Sequence, residues 1–177
     1  AMYCGIYFVL FRLSEGKPPD FGDLFKGFNY FLPALIATLI FIIPIVVFTL
    51  VSWFSMMGVM FSMMDKGGRP DPSMIFTLYG VMIGEGLVFG IIISCIHAFI
   101  IFTYPLIVEH GLTGIEAFKL SARAAWANLS GVIGLILCQF GLYLIGMLAC
   151  VVGAYFTLPL MFAGVFVAYR KVFPSFN

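Results

Sequence analysis

Long stretches almost free of charge limit this chain more than any other feature. They cover residues 29–64, 73–108, 129–152 and 154–169, and Glu85 is the only Asp, Glu, Lys or Arg inside them. A helix needs roughly 20 apolar residues to cross the hydrocarbon core of a bilayer. The chain is 63% apolar and 10% charged, whereas soluble domains are about 45–50% apolar and about 25% charged. A water-soluble fold is therefore excluded, and the sequence predicts an all-α, polytopic transmembrane bundle.

The number of spans follows from these runs. Residues 129–152 and 154–169 are separated only at Gly153, which predicts an antiparallel hairpin with its turn there. Residues 1–12 form a further apolar segment, but it is shorter than the roughly 20 residues a span needs. We therefore expect the chain to begin partway through a helix and a further segment to precede it. The prediction is one integral membrane domain over residues 1–177 with about five spans, the first truncated.

Charged and turn-forming residues lie in short segments between the apolar runs, and we call these segments islands. Two islands predict helices that lie in the membrane surface. Asp20 can cap a short amphipathic helix over about 20–28. Its apolar face would hold four residues: Phe21, Leu24, Phe25 and Phe28. Thr113 and Glu116 have the spacing of a capping box for a second such helix over 113–128. Its apolar stripe would hold Ile115, Phe118, Ala122 and Trp126.

The remaining island, residues 65–72, predicts a turn. Gly67 and Gly68 supply backbone freedom, and Asp71 followed by Pro72 is typical of an N-cap and a first-turn proline. Pro44 and Pro105 are expected to kink their helices, because proline lacks the N–H that bonds to the preceding turn.

Cations divide unevenly between the two sides of such a bundle. Only Lys66 and Arg69 fall on one side, and the other carries Arg12, Lys17, Lys26, Lys119, Arg123, Arg170 and Lys171. By the positive-inside rule, this predicts a bacterial inner-membrane protein whose loops 12–28 and 109–128 and C-terminus are cytoplasmic. The net charge of +1 and the lack of a basic cluster exclude nucleic acid as a partner.

The runs 29–64 and 73–108 are longer than a bilayer is thick. Each holds 36 residues, about 54 Å of helix against a core of about 30 Å. The outer part carries seven of the ten methionines. Thioethers suit Cu(I), but no cysteine or histidine cluster accompanies them, so we prefer an adaptable interaction surface. We assign that surface to Met56, Met57, Met60, Met63 and Met64, covered by strong tilt, re-entry, a partner protein or a second copy.

Small residues recur along the run 73–108 at the spacing that lets helices approach closely in lipid. We predict helix packing at Gly80, Gly84, Gly86, Gly90, Ser94 and Ala98.

Few polar residues within the spans are candidates for function. Glu85 and His97 lie on one predicted helix, about 18 Å apart along its axis, and Gln139 lies in the next run. Intramembrane ionisable groups often serve transport, whereas a hydration shell at the interface or a packing hydrogen bond explains the same residues without function. Glu109 and His110 are adjacent and favour a polar helix terminus.

The other chemistry-bearing residues predict no active site. The four cysteines, Cys4, Cys95, Cys138 and Cys150, lie in apolar runs without ligand spacing, so they are interpreted as small buried hydrophobes. No catalytic motif is present, and we expect no enzyme, catalytic residue, metal or cofactor.

Three groups of residues resemble a known family. They are Tyr104, Pro105, Val108, Glu109, His110, Gly111, Leu112, Ala117, Ser121 and Asn128; Leu158, Pro159, Ala168, Tyr169 and Arg170; and Asp23, Leu24, Phe25, Gly27 and Phe28. The chain resembles bacterial multi-pass membrane families of unknown function related to the membrane domain of glycerophosphodiester phosphodiesterases. The long Met-rich segment departs from that pattern. The resemblance implies no catalytic residues, because the phosphodiesterase chemistry belongs to a separate soluble domain.

These observations favour a non-enzymatic membrane component, an accessory or scaffold subunit or an oligomer, that packs laterally with membrane proteins. The alternative is a transporter of a small solute, ion or lipid that uses Glu85 and His97.

Overall fold

A computed structural model describes residues 1–65, 72–148 and 150–174, without the side chains of 63, 65, 72, 74, 150–152 and 154. Within these ranges all regular structure is helical: α1 (Met2–Ser14), the 3-10 helix η1 (Phe21–Tyr30), α2 (Phe31–Asp65), α3 (Pro72–Ile100), α4 (Thr103–His110), α5 (Gly114–Ala127), α6 (Leu129–Leu148) and α7 (Cys150–Val172). The predicted all-α class is confirmed.

Among the described residues, three helical stretches are long and apolar enough to cross a membrane: Phe21–Ser62, Ile75–His110 and Leu129–Leu148. The predicted overshoot is present in α2, whose 35 residues correspond to about 52 Å of helix. α1 is apolar but has only 13 residues. These lengths and compositions are compatible with an integral membrane protein.

One predicted turn is absent from the structure, and another lies outside the described residues. α6 ends at Leu148 and α7 begins at Cys150, so Gly153 lies inside α7 rather than in a turn. A glycine without a charged neighbour did not stop the helix, because in an apolar segment the backbone retains its own hydrogen bonds. Pro72 begins α3 as predicted, whereas the turn at Gly67 and Gly68 and the cap at Asp71 lie outside the described residues.

Both predicted helix caps are present, and the cap at Asp20 is also a capping box with Asp23. Asp20 caps η1, and its backbone N–H donates to the Asp23 carboxylate at 3.1 Å. Thr113 caps α5: the Glu116 N–H donates to its hydroxyl at 3.4 Å, and that hydroxyl donates to the Glu116 carboxylate at 2.8 Å. This hydrogen bond from Thr113 lowers the pKa of Glu116. Local side-chain chemistry therefore sets where these two helices begin.

The chain divides into two compact units, of which the first comprises residues 1–39 and 98–177. Its core is built mainly from α1, α4, α5 and the second half of α7, with Tyr7, Leu106, Ile107 and Tyr169 among its buried residues. α1 and η1 meet at two glycines. A Cβ on Gly27 would lie 2.7 Å from the Gly5 Cα, and a Cβ on Gly5 would lie 2.9 Å from the Leu24 carbonyl carbon.

A break separates α3 from α4 in the first unit. Pro105 lacks the N–H that would bond to Ile101, so the helix is interrupted at residues 101–102. The Ser121 hydroxyl of α5 bridges the break, accepting from the Phe102 N–H at 3.1 Å and donating to the Phe99 carbonyl at 2.6 Å. Pro44 lies inside a helix that continues without such an interruption.

The second unit, residues 40–97, contains parts of α2 and α3. Phe48 stacks on Phe89 with ring centroids 3.9 Å apart, and Phe41 meets His97 at 6.4 Å. The later residue of α2, Phe48, meets the earlier residue of α3, Phe89. The two segments therefore run antiparallel. Much of their remaining apolar surface is exposed in the chain, as expected for helices that face lipid.

Candidate functional site

A cavity of about 610 Å³ in the first unit is lined by more cations than anions. Its lining is Phe8, Phe11, Arg12, Glu15, Lys17, Lys26, Val108, Glu109 and Arg170. These residues come from the second half of α1 and the segment that follows it, from η1, from the end of α4 and from the last turns of α7. We call it the basic cavity. Its volume falls in the range of about 300–1,000 Å³ that is usual for small-molecule sites.

Asp23 anchors one wall of the basic cavity. This carboxylate is 1% exposed, and it pairs with Arg12 and, at 2.8 Å, with Lys26. It also accepts from the Asp20 backbone N–H. One buried negative charge is thus shared by two cations that line the cavity. Such pairing is what allows a carboxylate to be buried.

Glu109 anchors the opposite wall. It accepts from the Tyr169 hydroxyl and, at 2.6 Å, from the Arg170 guanidinium, which joins the end of α4 to α7. His110 Nε2 lies 3.8 Å from the same carboxylate. The sequence predicted only a polar helix terminus at Glu109 and His110. It did not predict that Glu109 binds Tyr169 and Arg170, because these two residues are about sixty positions away in the sequence.

Aromatic faces hold two of the cations. The Arg170 guanidinium carbon lies 4.7 Å from the centroid of Phe11, and Lys26 Nζ lies 5.4 Å from that of Phe8. Cation–π attraction of this kind contributes about 0.5–1 kcal/mol at exposed sites. It restricts the two charges to positions beside the cavity without neutralising them.

An exposed ion pair completes the cavity rim. Lys17 Nζ lies 2.7 Å from the Glu15 carboxylate, and this hydrogen bond lowers the pKa of Glu15. Exposed pairs like this one contribute about 0–1 kcal/mol to stability, so Lys17 can exchange Glu15 for another anion at little cost.

In the part of the chain that the structure describes, most of the predicted helix-packing residues have open space where a neighbouring helix would pack. A Cβ on Gly80, Gly84, Gly86 or Gly90 would meet no atom within 4 Å, and Ser94 is also exposed. We call Gly80, Gly84, Gly86, Gly90 and Ser94 the open glycine row. Ala98 differs, since it is buried in the core of the first unit.

The three polar candidates lie on two helices. Glu85 and His97 are half-buried on α3, twelve positions apart, which corresponds to about 18 Å along the helix. His97 lies against Phe41. Gln139 is half-buried on α6.

The methionine surface is only partly exposed. Met60 and Met64 are 55% and 69% exposed, Met56 and Met57 are half-buried, and the side chain of Met63 lies outside the described part. In the residues that the structure describes, no group of three His, Cys, Asp or Glu lies close enough to hold a metal ion.

The cavity-lining residues Arg12, Lys26, Glu109 and Arg170 were not predicted as a site. One sequence feature could have grouped them. All four lie near the ends of predicted spans, and the positive-inside rule assigns these ends to the same side of the membrane. Sequence position alone does not say which charges on a face meet.

Replacing Glu109 by alanine is expected to lower the free energy of unfolding by about 2–3 kcal/mol, because the buried Tyr169 hydroxyl and the Arg170 guanidinium both lose their acceptor. Replacing Tyr169 by phenylalanine removes one hydrogen bond and leaves the ion pair, so we expect about 1 kcal/mol. Thermal unfolding in detergent measures both. Equal losses in the two variants would contradict the assignment of Glu109 as the joint acceptor.

No protein-family model, curated protein or solved structure matches this chain. Its apolar helices are compatible with contact with a lipid bilayer. Crossing a membrane does not by itself require the basic cavity or the open glycine row.

Proposed function

We propose that this chain is a non-enzymatic integral membrane protein that associates laterally, as an accessory or scaffold subunit or as an oligomer. The observation that carries the proposal is the open glycine row. Small residues permit close helix approach, and glycine in a helix costs about 1 kcal/mol relative to alanine. At four glycines of α3 an added Cβ would meet no atom of another described segment within 4 Å. These glycines are explained if another helix packs against them.

A second copy of the chain is the partner that fits the row best. Close approach requires small residues on both helices at the crossing point. The α3 helix of a second copy provides such a row at the same membrane depth. The exposed methionines Met60 and Met64 add adaptable apolar surface on α2.

The membrane and its orientation are part of the same proposal. We place the chain in a bacterial inner membrane with the basic cavity on the cytoplasmic side. The support is that Arg12, Lys26 and Arg170, which lie on different helices, line one cavity. They are therefore on one side, and the positive-inside rule makes the cation-rich side cytoplasmic. Membership in the families that the sequence resembles belongs to this proposal as well.

Native mass spectrometry after extraction in mild detergent tests the association. We expect a dimer or a higher oligomer of the chain. A stoichiometric complex with a different membrane protein would replace the second copy as partner and retain the accessory role. A clean monomer would overturn the proposal.

A further inference from the structure

We propose that the basic cavity binds the phosphate group of an anionic phospholipid from the surrounding bilayer. The inference is independent of lateral association, because every residue that lines the cavity belongs to the first unit and the open glycine row belongs to the second.

The charge around the cavity is unbalanced. Four cations line it, Arg12, Lys17, Lys26 and Arg170. The carboxylates within reach are Glu15 and Glu109 in the lining and Asp23 in the wall. Four positive and three negative charges leave an excess of +1 by this count. A phosphodiester with one negative charge balances the excess.

The donors around the cavity fit a phosphate. Arg12 and Arg170 each use one guanidinium nitrogen in their ion pairs, whereas a guanidinium carries five N–H donors and recognises phosphate oxygens in pairs. Lys17 is 60% exposed and Lys26 is 51% exposed, so both ammonium groups can reach a bound anion. The aromatic contacts of Arg170 and Lys26 limit the reorganisation that binding requires.

The surroundings favour a lipid over a soluble ester. Phe8, Phe11 and Val108 supply apolar wall beside the charged groups, and the cavity lies where α1, α4 and α7 end at charged residues. In the same unit, Phe21, Phe25 and Phe28 of η1 are more than half exposed. Phe25 stacks on Phe28 and meets Phe21 edge-on. Aromatic side chains in this arrangement are typical of the headgroup region, where a phospholipid phosphate lies.

The test compares lipid retention by variants of the full chain. Lys17→Gln combined with Lys26→Gln removes two cavity cations and leaves the Arg12–Asp23 and Arg170–Glu109 pairs intact, so the fold is retained. Lys119→Gln is the matched control, since Lys119 is exposed on α5 and does not line the cavity. If the double variant melts below the wild type, Lys17→Gln alone is used, because Lys17 pairs only with Glu15 at the rim.

Each protein is placed in nanodiscs of equal phosphatidylglycerol and phosphatidylcholine content, and native mass spectrometry counts the retained lipid. We expect the wild type and Lys119→Gln to retain one phosphatidylglycerol, and the double variant to retain it at least about fivefold less often. Equal retention by all three proteins would overturn the site. Protection of the wild type against thermal unfolding by inorganic phosphate, with no preference for phosphatidylglycerol over phosphatidylcholine, would overturn the lipid assignment.

Discussion

Replacing Gly27 by alanine is expected to lower the free energy of unfolding by about 3 kcal/mol, at the upper end of what overpacking costs. The added methyl group would overlap the backbone of Gly5 and lie 2.5 Å from the Ala1 carbonyl oxygen. Backbone atoms cannot rotate away as a flexible side chain can, so α1 and η1 must separate. The change therefore loosens the contact that closes the core of the first unit.

The control for this substitution lies on the same helix. A Cβ on Gly22 would come no closer than 3.4 Å to any atom, and that atom belongs to the Asp20 side chain. Gly22→Ala should therefore leave the melting temperature in detergent close to that of the wild type. Equal melting temperatures of Gly27→Ala and Gly22→Ala would show that α1 and η1 are not in close contact at Gly5 and Gly27.

Replacing Gly86 and Gly90 together by leucine is expected to weaken association at least tenfold, equivalent to about 1.4 kcal/mol. Leucine side chains on the open glycine row would hold the partner helix away and remove the close backbone contact. Within the chain they meet open space, and leucine favours the helix more than glycine does. The monomer should thus be at least as stable as before, while the oligomer dissociates.

Gly134→Leu combined with Gly141→Leu provides the matched control. These two glycines of α6 also have no atom within 4 Å of an added Cβ, so the control adds the same volume to a different helix. Sedimentation in density-matched detergent measures both variants. Dissociation of the α6 variant and not of the α3 variant would move the interface to α6.

The features that the sequence predicted correctly are mostly local. The cap at Asp20 and the capping box of Thr113 and Glu116 depend on residues two or three positions apart, and the interruption before Pro105 depends on one missing N–H. Long apolar runs likewise predict helices without reference to the rest of the fold.

Contacts between distant segments could not be predicted in the same way. The approach of Gly5 to Gly27 and the joining of Glu109 to Arg170 depend on how α1, η1, α4 and α7 pack, and no periodicity encodes that arrangement. The small-residue spacing on α3 predicts a surface for close packing, and that packing stays a prediction. It could not show that Gly86 and Gly90 remain open while Ala98 is buried in the core.

Disulfide formation between copies in the membrane tests the central claim most directly. Gly90→Cys lies on the open glycine row, and Ile92→Cys lies two residues further along α3, about 200° around the helix and about 3 Å deeper or shallower. Ile92 is 45% exposed, so a cysteine at this position can meet the same cysteine of another copy by random collision. Cys95, Cys138 and Cys150 are replaced by alanine in both variants, and buried Cys4 is retained.

After mild oxidation in native membranes, lateral packing through the open glycine row predicts a covalent dimer for Gly90→Cys and little or none for Ile92→Cys. Helices that cross at small residues bring their Cα atoms within the distance that a disulfide spans, about 4.4–6.8 Å. No dimer from Gly90→Cys, or equal dimer from both positions, would contradict the account.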